Sequence, residues 1–213
     1  PAERLSQISL VSLSTTLATN AVVEGRGTPV CLLLSGYNAR QVGKAKLEHI
    51  VRGGHCALVP GGHDAGGGER EPLDLEQARR VVTEQRDKVA AFGISGLFGV
   101  RNPEHELKLR ELVRSLTGKP VTCGHELASQ LDAPRRALTV AFNASLIPYI
   151  DELIRAIKLI LQERAIHAPL MMVKGDGSLI SADTALARPV ETILSGPAAS
   201  VMGAAQLQPH RNA

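Results

Sequence analysis

The sequence predicts an α/β fold, a largely parallel sheet flanked by helices. Short apolar runs at 7–13, 28–34, 94–100, 119–123 and 170–173 read as strands. The segments between the early runs carry apolar residues at helical spacing, with capping residues before them and glycine after. Strands that alternate with helices need crossover connections, and crossovers impose parallel pairing. At 213 residues the chain can bury a core without disulfides, and with 44% hydrophobic but only 2% aromatic residues that core is built from Leu, Ile, Val and Ala.

Taken in order, Ile8, Leu10 and Leu13 mark the first strand by alternation. Ser14 is placed to cap a helix over 15–24, and Gly25 supplies its left-handed stop. Residues 28–34 read as a buried strand. The glycine-rich stretch 53–68, which also holds Pro60, reads as loop or hairpin outside the core. Asp74 and Gln77 form a capping-box pattern with Leu73 as the staple residue, so a helix is expected to start there. Leu75, Ala78, Val82, Val89 and Phe92 fall on its apolar face, and Gly93 stops it.

Residues 94–100 read as the next strand, and Asn102 with Pro103 opens a helix whose stripe Leu109, Leu112, Val113 and Leu116 ends at Gly118. Residues 119–123 follow as a strand. From 136 to 165 the chain is nearly all helix-forming, with Leu146, Ile150, Leu153, Ile157 and Ile160 on one stripe and Pro148 expected to kink or divide it. A strand at 170–173, a tight turn at 174–178 and a helix from about Pro197 complete the reading. The change of texture after His125 suggests an α/β domain over 1–124 and a mainly helical second lobe over 125–213.

Composition narrows the function. The net charge of +3 is dispersed, and aromatic residues are too few for stacking on single-stranded nucleic acid, so neither a nucleic-acid nor a membrane partner is expected. Cys31, Cys56 and Cys123 form no Cys-x-x-Cys pair and fit reduced thiols. No continuous apolar run reaches the roughly 20 residues a bilayer span requires, and a cytoplasmic location is expected.

Five segments could carry chemistry. Ser14-Thr15-Thr16-Leu17-Ala18-Thr19-Asn20 gathers hydroxyls where a strand meets a helix N-terminus, a place that favours anions, and Thr16 and Asn20 share a helical face; the same residues also describe a well-capped helix. Ser195 and Gly196 open a helix whose small residues permit close backbone approach, which equally suits packing. Gly175, Asp176 and Gly177 sit in a turn after a strand, where α/β proteins often bind ligands, though Asp-Gly is also an ordinary turn former. His55, Cys56, His63 and Asp64 are metal-capable but match no zinc spacing. Asn102-Pro103-Glu104-His105-Glu106 combines a helix cap with a His between carboxylates, and acidic residues there also complement the helix dipole. None of these identifies a general base.

The order and spacing of four segments resemble one family, the hydantoinase A, 5-oxoprolinase and acetone carboxylase subunit family of ATP-dependent enzymes. These are Ser14-Thr15-Thr16-Leu17-Ala18-Thr19-Asn20-Ala21, similar to Gly-Thr-Thr-x-Ala-Thr-Asn-Ala; Asn102 to Glu106; Lys174-Gly175-Asp176-Gly177-Ser178-Leu179; and Arg188 to Ala199, the most specific. The resemblance implies a partial actin-like (ribonuclease H-like) ATPase scaffold. It further implies ATP and Mg²⁺ in the full-length protein and hydrolysis of a cyclic amide of the hydantoin or 5-oxoproline type. The alternatives are a ketone carboxylase subunit or a non-catalytic binding module related to the family. Thr15, Thr16, Asn20, Gly175, Asp176, Gly177, Ser195 and Gly196 become the implied substrate or nucleotide contacts, and a second enzyme subunit a possible partner. The family's two Asp-x-Gly-Gly-Thr phosphate loops are absent from these 213 residues. The expectation is therefore an internal piece of a longer enzyme that holds no cofactor tightly and is inactive alone. Leu13-Ser14 stands where the family usually has His-Gly.

Overall fold

The computed structural model describes Leu5, residues 7–51 and residues 53–207. Its strands are β1 (Val11–Leu13), β2 (Val30–Ser35), β3 (His55–Val59), β4 (Gly62–His63), β5 (Glu69–Glu71), β6 (Ala91–Gly96), β7 (Val121–Cys123), β8 (Leu170–Val173) and β9 (Leu179–Ser181). The helices are α1 (Leu17–Val23), α2 (Ala39–Lys44), α3 (Leu47–Ile50), α4 (Leu75–Gln85), α5 (Glu104–Thr117), α6 (Gly124–Leu127), α7 (Ala133–Glu163), α8 (Ala182–Ala187) and α9 (Ser195–Leu207), with a 3-10 turn at Pro189–Thr192. The chain packs as two compact units, one of residues 27–148 and one of residues 1–26 with 149–213.

The first unit is a four-stranded, wholly parallel sheet in the order β3-β2-β6-β7. Every residue of β2 and β6 is buried, as expected for central strands covered on both faces. On one face Cys31, Leu33, Phe92 and Ile94 pack with Ala78 and Val82 of α4 and Leu109 and Val113 of α5. On the other, Leu32 and Leu34 pack with Val42 of α2, Leu47 of α3 and Ala137, Val140 and Ala141 of α7. The alternation along β2 is the period of two that sends neighbouring side chains to opposite faces. After β3 in the chain, β4 and β5 form a separate two-stranded antiparallel ribbon.

Several expectations are corrected here. The stretch 53–68 is not all loop outside the core, because His55–Val59 pairs along its whole length with β2, from Cys31↔His55 to Ser35↔Val59. Glycines on both sides of that five-residue strand masked it. Asp74 does cap α4, its carboxylate accepting the Gln77 N–H at 2.8 Å, but the helix ends at Gln85. Phe92 and Gly93 therefore belong to β6. Gly93 is there because a Cβ would come within 2.8 Å of Val140 Cγ1, so glycine lets α7 lie against the sheet. Ser14 caps nothing in α1, whose N-cap is Thr16 without a side-chain bond. Pro148 lies inside a single 31-residue helix and does not divide it. Its packed stripe runs through Leu146, Ile150 and Ile154, while Ile160 is exposed.

The expected boundary at 124 is not a packing boundary. Gly124 is buried inside the first unit, and α7 carries residues of both, Ala137 and Val140 in the first and Ile150 and Ile154 in the second. The second unit has a sheet of order β1-β8-β9, parallel between β1 and β8 and antiparallel between β8 and β9. Leu170 and Met172 pack there with Ile150, Ile154, Ala182 and Ala185. Helix α7 is long and apolar enough to cross a membrane by composition, but more than half of its apolar window is buried in protein, as in a core helix.

One cation is built into the first unit. Arg136, at the start of α7, is 2% exposed, and it donates to Gly96 O at 2.7 Å, Leu97 O at 3.0 Å and Gln130 O at 2.7 Å. Arg136→Ala leaves those carbonyls unpaired and opens a cavity, and should cost about 2–4 kcal/mol by urea unfolding. Arg79→Ala, at an exposed ion pair, should move stability by less than about 0.5 kcal/mol.

Candidate functional site

In the second unit the first and last motifs meet. The Ser195 hydroxyl donates to Thr15 O at 2.9 Å and accepts the Thr15 N–H at 3.4 Å. It is wholly buried and spent on the Thr15 backbone, so it positions the two segments and is not a free nucleophile. Thr15 in turn uses its own Oγ1 to accept the Leu17 N–H at 3.0 Å, which fixes the first turn of α1. Thr19 Oγ1 accepts the Leu194 N–H at 2.9 Å. Leu194 has a φ of +62°, a conformation unusual for a side-chain-bearing residue, and this bond helps to hold it. Sequence reasoning missed Thr19 as a contact, since nothing local to it announces a partner so distant in the chain.

Thr16 and Asn20 remain exposed. Asn20 Nδ2 reaches Thr16 Oγ1 at 3.4 Å, as their four-residue spacing on one face allows. A cavity of about 260 Å³ opens beside Asn20, bounded also by Leu17, Glu24, Arg26 and Tyr149. Gly196 lies against Thr16: a Cβ on it would be 3.4 Å from Thr16 Cγ2.

The turn after β8 packs on the segment leading into Ser195. Gly175 donates its N–H to Glu191 O at 2.8 Å, and a Cβ there would fall 2.3 Å from Ile193 O, so only glycine fits. Gly177 has a φ of +85° and lies against Met202 of α9. Asp176 faces its own turn, accepting from Ser178 N–H at 2.9 Å and Ser178 Oγ at 2.6 Å, with Lys174 Nζ at 3.3 Å. Those donors pull its carboxyl down to about 2, Ser178 first. Lys174 is also held by Glu191 at 3.3 Å, a partner not foreseen from sequence. Thr15, Thr16, Asn20, Ser195 and Gly196 are thus brought together directly, Gly175 and Gly177 abut their flanks, and the Asp176 carboxylate stays within the turn.

The other motifs sit in the first unit. His105 Nε2 pairs with Glu69 Oε1 at 2.9 Å. Glu106 is fully buried and accepts the Gly96 N–H at 2.7 Å and the His125 N–H at 2.9 Å, with His125 Nδ1 at 2.5 Å. Among the described residues Glu106, Cys123 and His125 gather closely enough to consider a metal ion. The donor set does not favour one, because both carboxylate oxygens are already engaged and a Cβ on Gly99 would fall 2.2 Å from Glu106 Oε1. Burial also pushes the Cys123 thiol well above its ordinary range. The sequence offered His105 as the neighbour of Glu106, whereas the fold supplies His125 from the far end of β7. Asp64 is a loop former, accepting from Gly66 and Gly68 N–H, and does not join His55, Cys56 and His63 in a cluster.

With this geometry in view, the chain belongs to the hydantoinase/oxoprolinase family. The model of the family's N-terminal region matches residues 1–117, and the hydantoinase/oxoprolinase model matches residues 136–213. The chain is 28% identical over 218 residues to caprolactamase subunit alpha of Pseudomonas jessenii, and 26% over 231 residues to the acetophenone carboxylase gamma subunit of Aromatoleum aromaticum. These alignments cover 94% and 95% of this chain and 31% of each relative. The crystal structure of the ATP-dependent caprolactamase from Pseudomonas jessenii superposes with a TM-score of 0.81 at 26% identity, over 94% of this chain and 31% of that one. The nucleotide-free structure of acetone carboxylase gives a TM-score of 0.78 at 21% identity, over 97% and 32%, and shows the shared fold. The chain therefore spans about a third of the length of these relatives.

Two outcomes follow. Ser195→Ala leaves a partly buried Thr15 carbonyl without this bond, and should cost about 1–2 kcal/mol, with faster amide exchange at Thr15 than in the intact chain. Asp176 has a folded value depressed below the unfolded one of 3.8, so its stabilising effect is full above the unfolded value and is lost as pH falls through about 2. A carboxyl titration by NMR should show Asp176 titrating below the other aspartates, and Ser178→Ala should raise its midpoint.

Proposed function

We propose that the chain is part of an ATP-dependent enzyme that opens a cyclic amide. One observation supports this above the others: the match to an ATP-dependent caprolactamase extends over 94% of the chain. An unactivated amide is a poor electrophile with a poor leaving group. ATP, when bound in the longer enzyme, would supply a phosphoryl group for the amide oxygen, with Mg²⁺ balancing the phosphate charge. In this reading the Thr16 hydroxyl and the Asn20 amide bind nucleotide or substrate, both being exposed on one helical face, with a cavity beside Asn20. Thr15, Ser195 and Gly196 fix the position of that face. Gly175, Asp176 and Gly177 form the turn that supports the Ser195 segment. Hydroxyl and amide groups fit a phosphate or a ribose, but the carboxylates nearby, Asp176 and Glu191, both pair with Lys174, so Mg²⁺ ligands are sought elsewhere in the longer protein.

A ketone carboxylase subunit is the second reading, favoured by the similarity to a subunit of acetophenone carboxylase. Both named relatives are subunits, so a partner subunit belongs to either reading. A third, a non-catalytic binding or assembly module, draws on the absence of an Asp-x-Gly-Gly-Thr loop from these 213 residues.

The test is ATP turnover by the longer protein with its partner subunit, given a lactam, hydantoin or 5-oxoproline in one arm and a ketone with bicarbonate in the other. Amide-dependent ADP release is expected. Ketone- and bicarbonate-dependent release would establish the carboxylase, and turnover in neither arm the module. Thr16→Val and Asn20→Ala should each lower kcat/KM by about tenfold or more, matching loss of one hydrogen bond to a charged group. The 213-residue chain by itself should turn over no ATP.

A further inference from the structure

The first unit has a feature that the amidohydrolase reading does not use. In chain order its parallel strands run second, first, third, fourth across the sheet, because β3 lies to one side of β2 and β6 to the other. The chain leaves β2 toward α2 on one face and leaves β6 toward α5 on the other. Where neighbouring strands send their connections to opposite faces, the loops part and leave a crevice at the carboxyl ends, the usual ligand position in doubly wound sheets.

Such a crevice is present, with a volume of about 520 Å³. Gly36 after β2, Pro60 after β3 and Leu97 after β6 line it, with His63, Arg70 and Glu71 from the β4–β5 ribbon. This size suits a small molecule. Arg70 and Glu71, of opposite charge, both line the crevice, yet neither is ion-paired to the other or to any described residue. His63 is only 5% exposed, and its Nε2 finds no hydrogen-bond partner among the described residues. Its ring lies 4.1 Å from that of His105. Burial, followed by the neighbouring His105, lowers its pKa from the ordinary value, which favours a neutral ring able to donate or to accept.

We propose that this crevice is a binding site for a small zwitterionic amino acid, its carboxylate on Arg70, its ammonium on Glu71 and its hydrocarbon body between Pro60 and Leu97. One cation and one anion lining the same crevice, both unpaired among the described residues, match a ligand with one charge of each sign. They oppose a simple anion, which Glu71 would repel, and a simple cation, which Arg70 would repel. The site is distinct from the Thr15–Ser195 region and needs no nucleotide.

The experiment is a titration of the 213-residue chain, without ATP, by glycine, 4-aminobutanoate and 6-aminohexanoate, followed by calorimetry and by amide and imidazole NMR. Hexanoate and hexylamine serve as probes of single charge. At least one amino acid should bind saturably and tenfold or more tighter than both, shifting the Gly36, Leu97 and His63 signals. Arg70→Gln and Glu71→Gln, both at exposed positions, should each weaken that binding tenfold or more with unchanged thermal unfolding. The proposal is overturned if no amino acid saturates, if hexanoate or hexylamine binds equally well, if the shifts map elsewhere, or if both variants keep the original affinity. None of these outcomes depends on the ATP assay, so the site and the enzymatic reading stand or fall separately.

Discussion

The first unit depends on how a single peptide at the end of its sheet is held. Gly96 closes β6, and its N–H is taken by the buried Glu106 carboxylate while its carbonyl is taken by the buried Arg136 guanidinium. Two charges out of water would be costly alone. Here each is satisfied by backbone groups: Glu106 also takes the His125 N–H, and Arg136 also takes the Leu97 and Gln130 carbonyls. The pair ties together the end of β6, the first turn of α5, the entry to α6 and the start of α7. Tyr37 reinforces the arrangement, donating to Ala133 O at 2.7 Å and sharing a 2.8 Å bond with Ser95. Burial pushes its hydroxyl up to about 12, so it stays protonated in ordinary buffers.

Small residues decide how closely elements approach around this point. Gly93 brings α7 onto the sheet, Gly99 makes room for Glu106, and Gly175 admits the Ile193 carbonyl in the other unit. A core nearly free of aromatic rings makes such contacts matter more, because Leu, Ile, Val and Ala fill space only when backbones come near. Phe92, on β6, is the one aromatic side chain in the main cluster, where it packs with residues of α4 and α5.

What the sequence made legible was whatever was encoded locally. Asp74 and Gln77 announced α4 correctly, Gly118 ended α5 with a φ of +64°, and Leu170–Val173 was found with its true limits. What failed was decided at a distance. Phe92 fits a helical stripe as well as a strand until β2 is known to need a parallel neighbour on that side. His55–Val59 is short and framed by glycine, and its pairing with β2 has no local mark. In the site, Thr15, Thr16 and Ser195 were singled out as residues, but that the Ser195 hydroxyl would be consumed by the Thr15 backbone follows only from the tertiary contact. Glu106 was likewise visible and its partner His125 was not.

The Thr15–Ser195 contact joins residues 180 positions apart, and β1 pairs with β8 across a similar interval, from Val11 to Leu170. On a ribosome the segment around Thr15 emerges before residues 27–148, and its partners β8 and Ser195 emerge after them. Residues 27–148 include the entire four-stranded sheet and can collapse while β1 and α1 wait. Closing so long a loop carries an entropic cost that local helices never meet, and contacts of this range slow folding. The region that gathers Thr16 and Asn20 thus takes shape after the four-stranded sheet, and a nascent chain halted before β8 presents an unpaired β1 strand to chaperones or to aggregation.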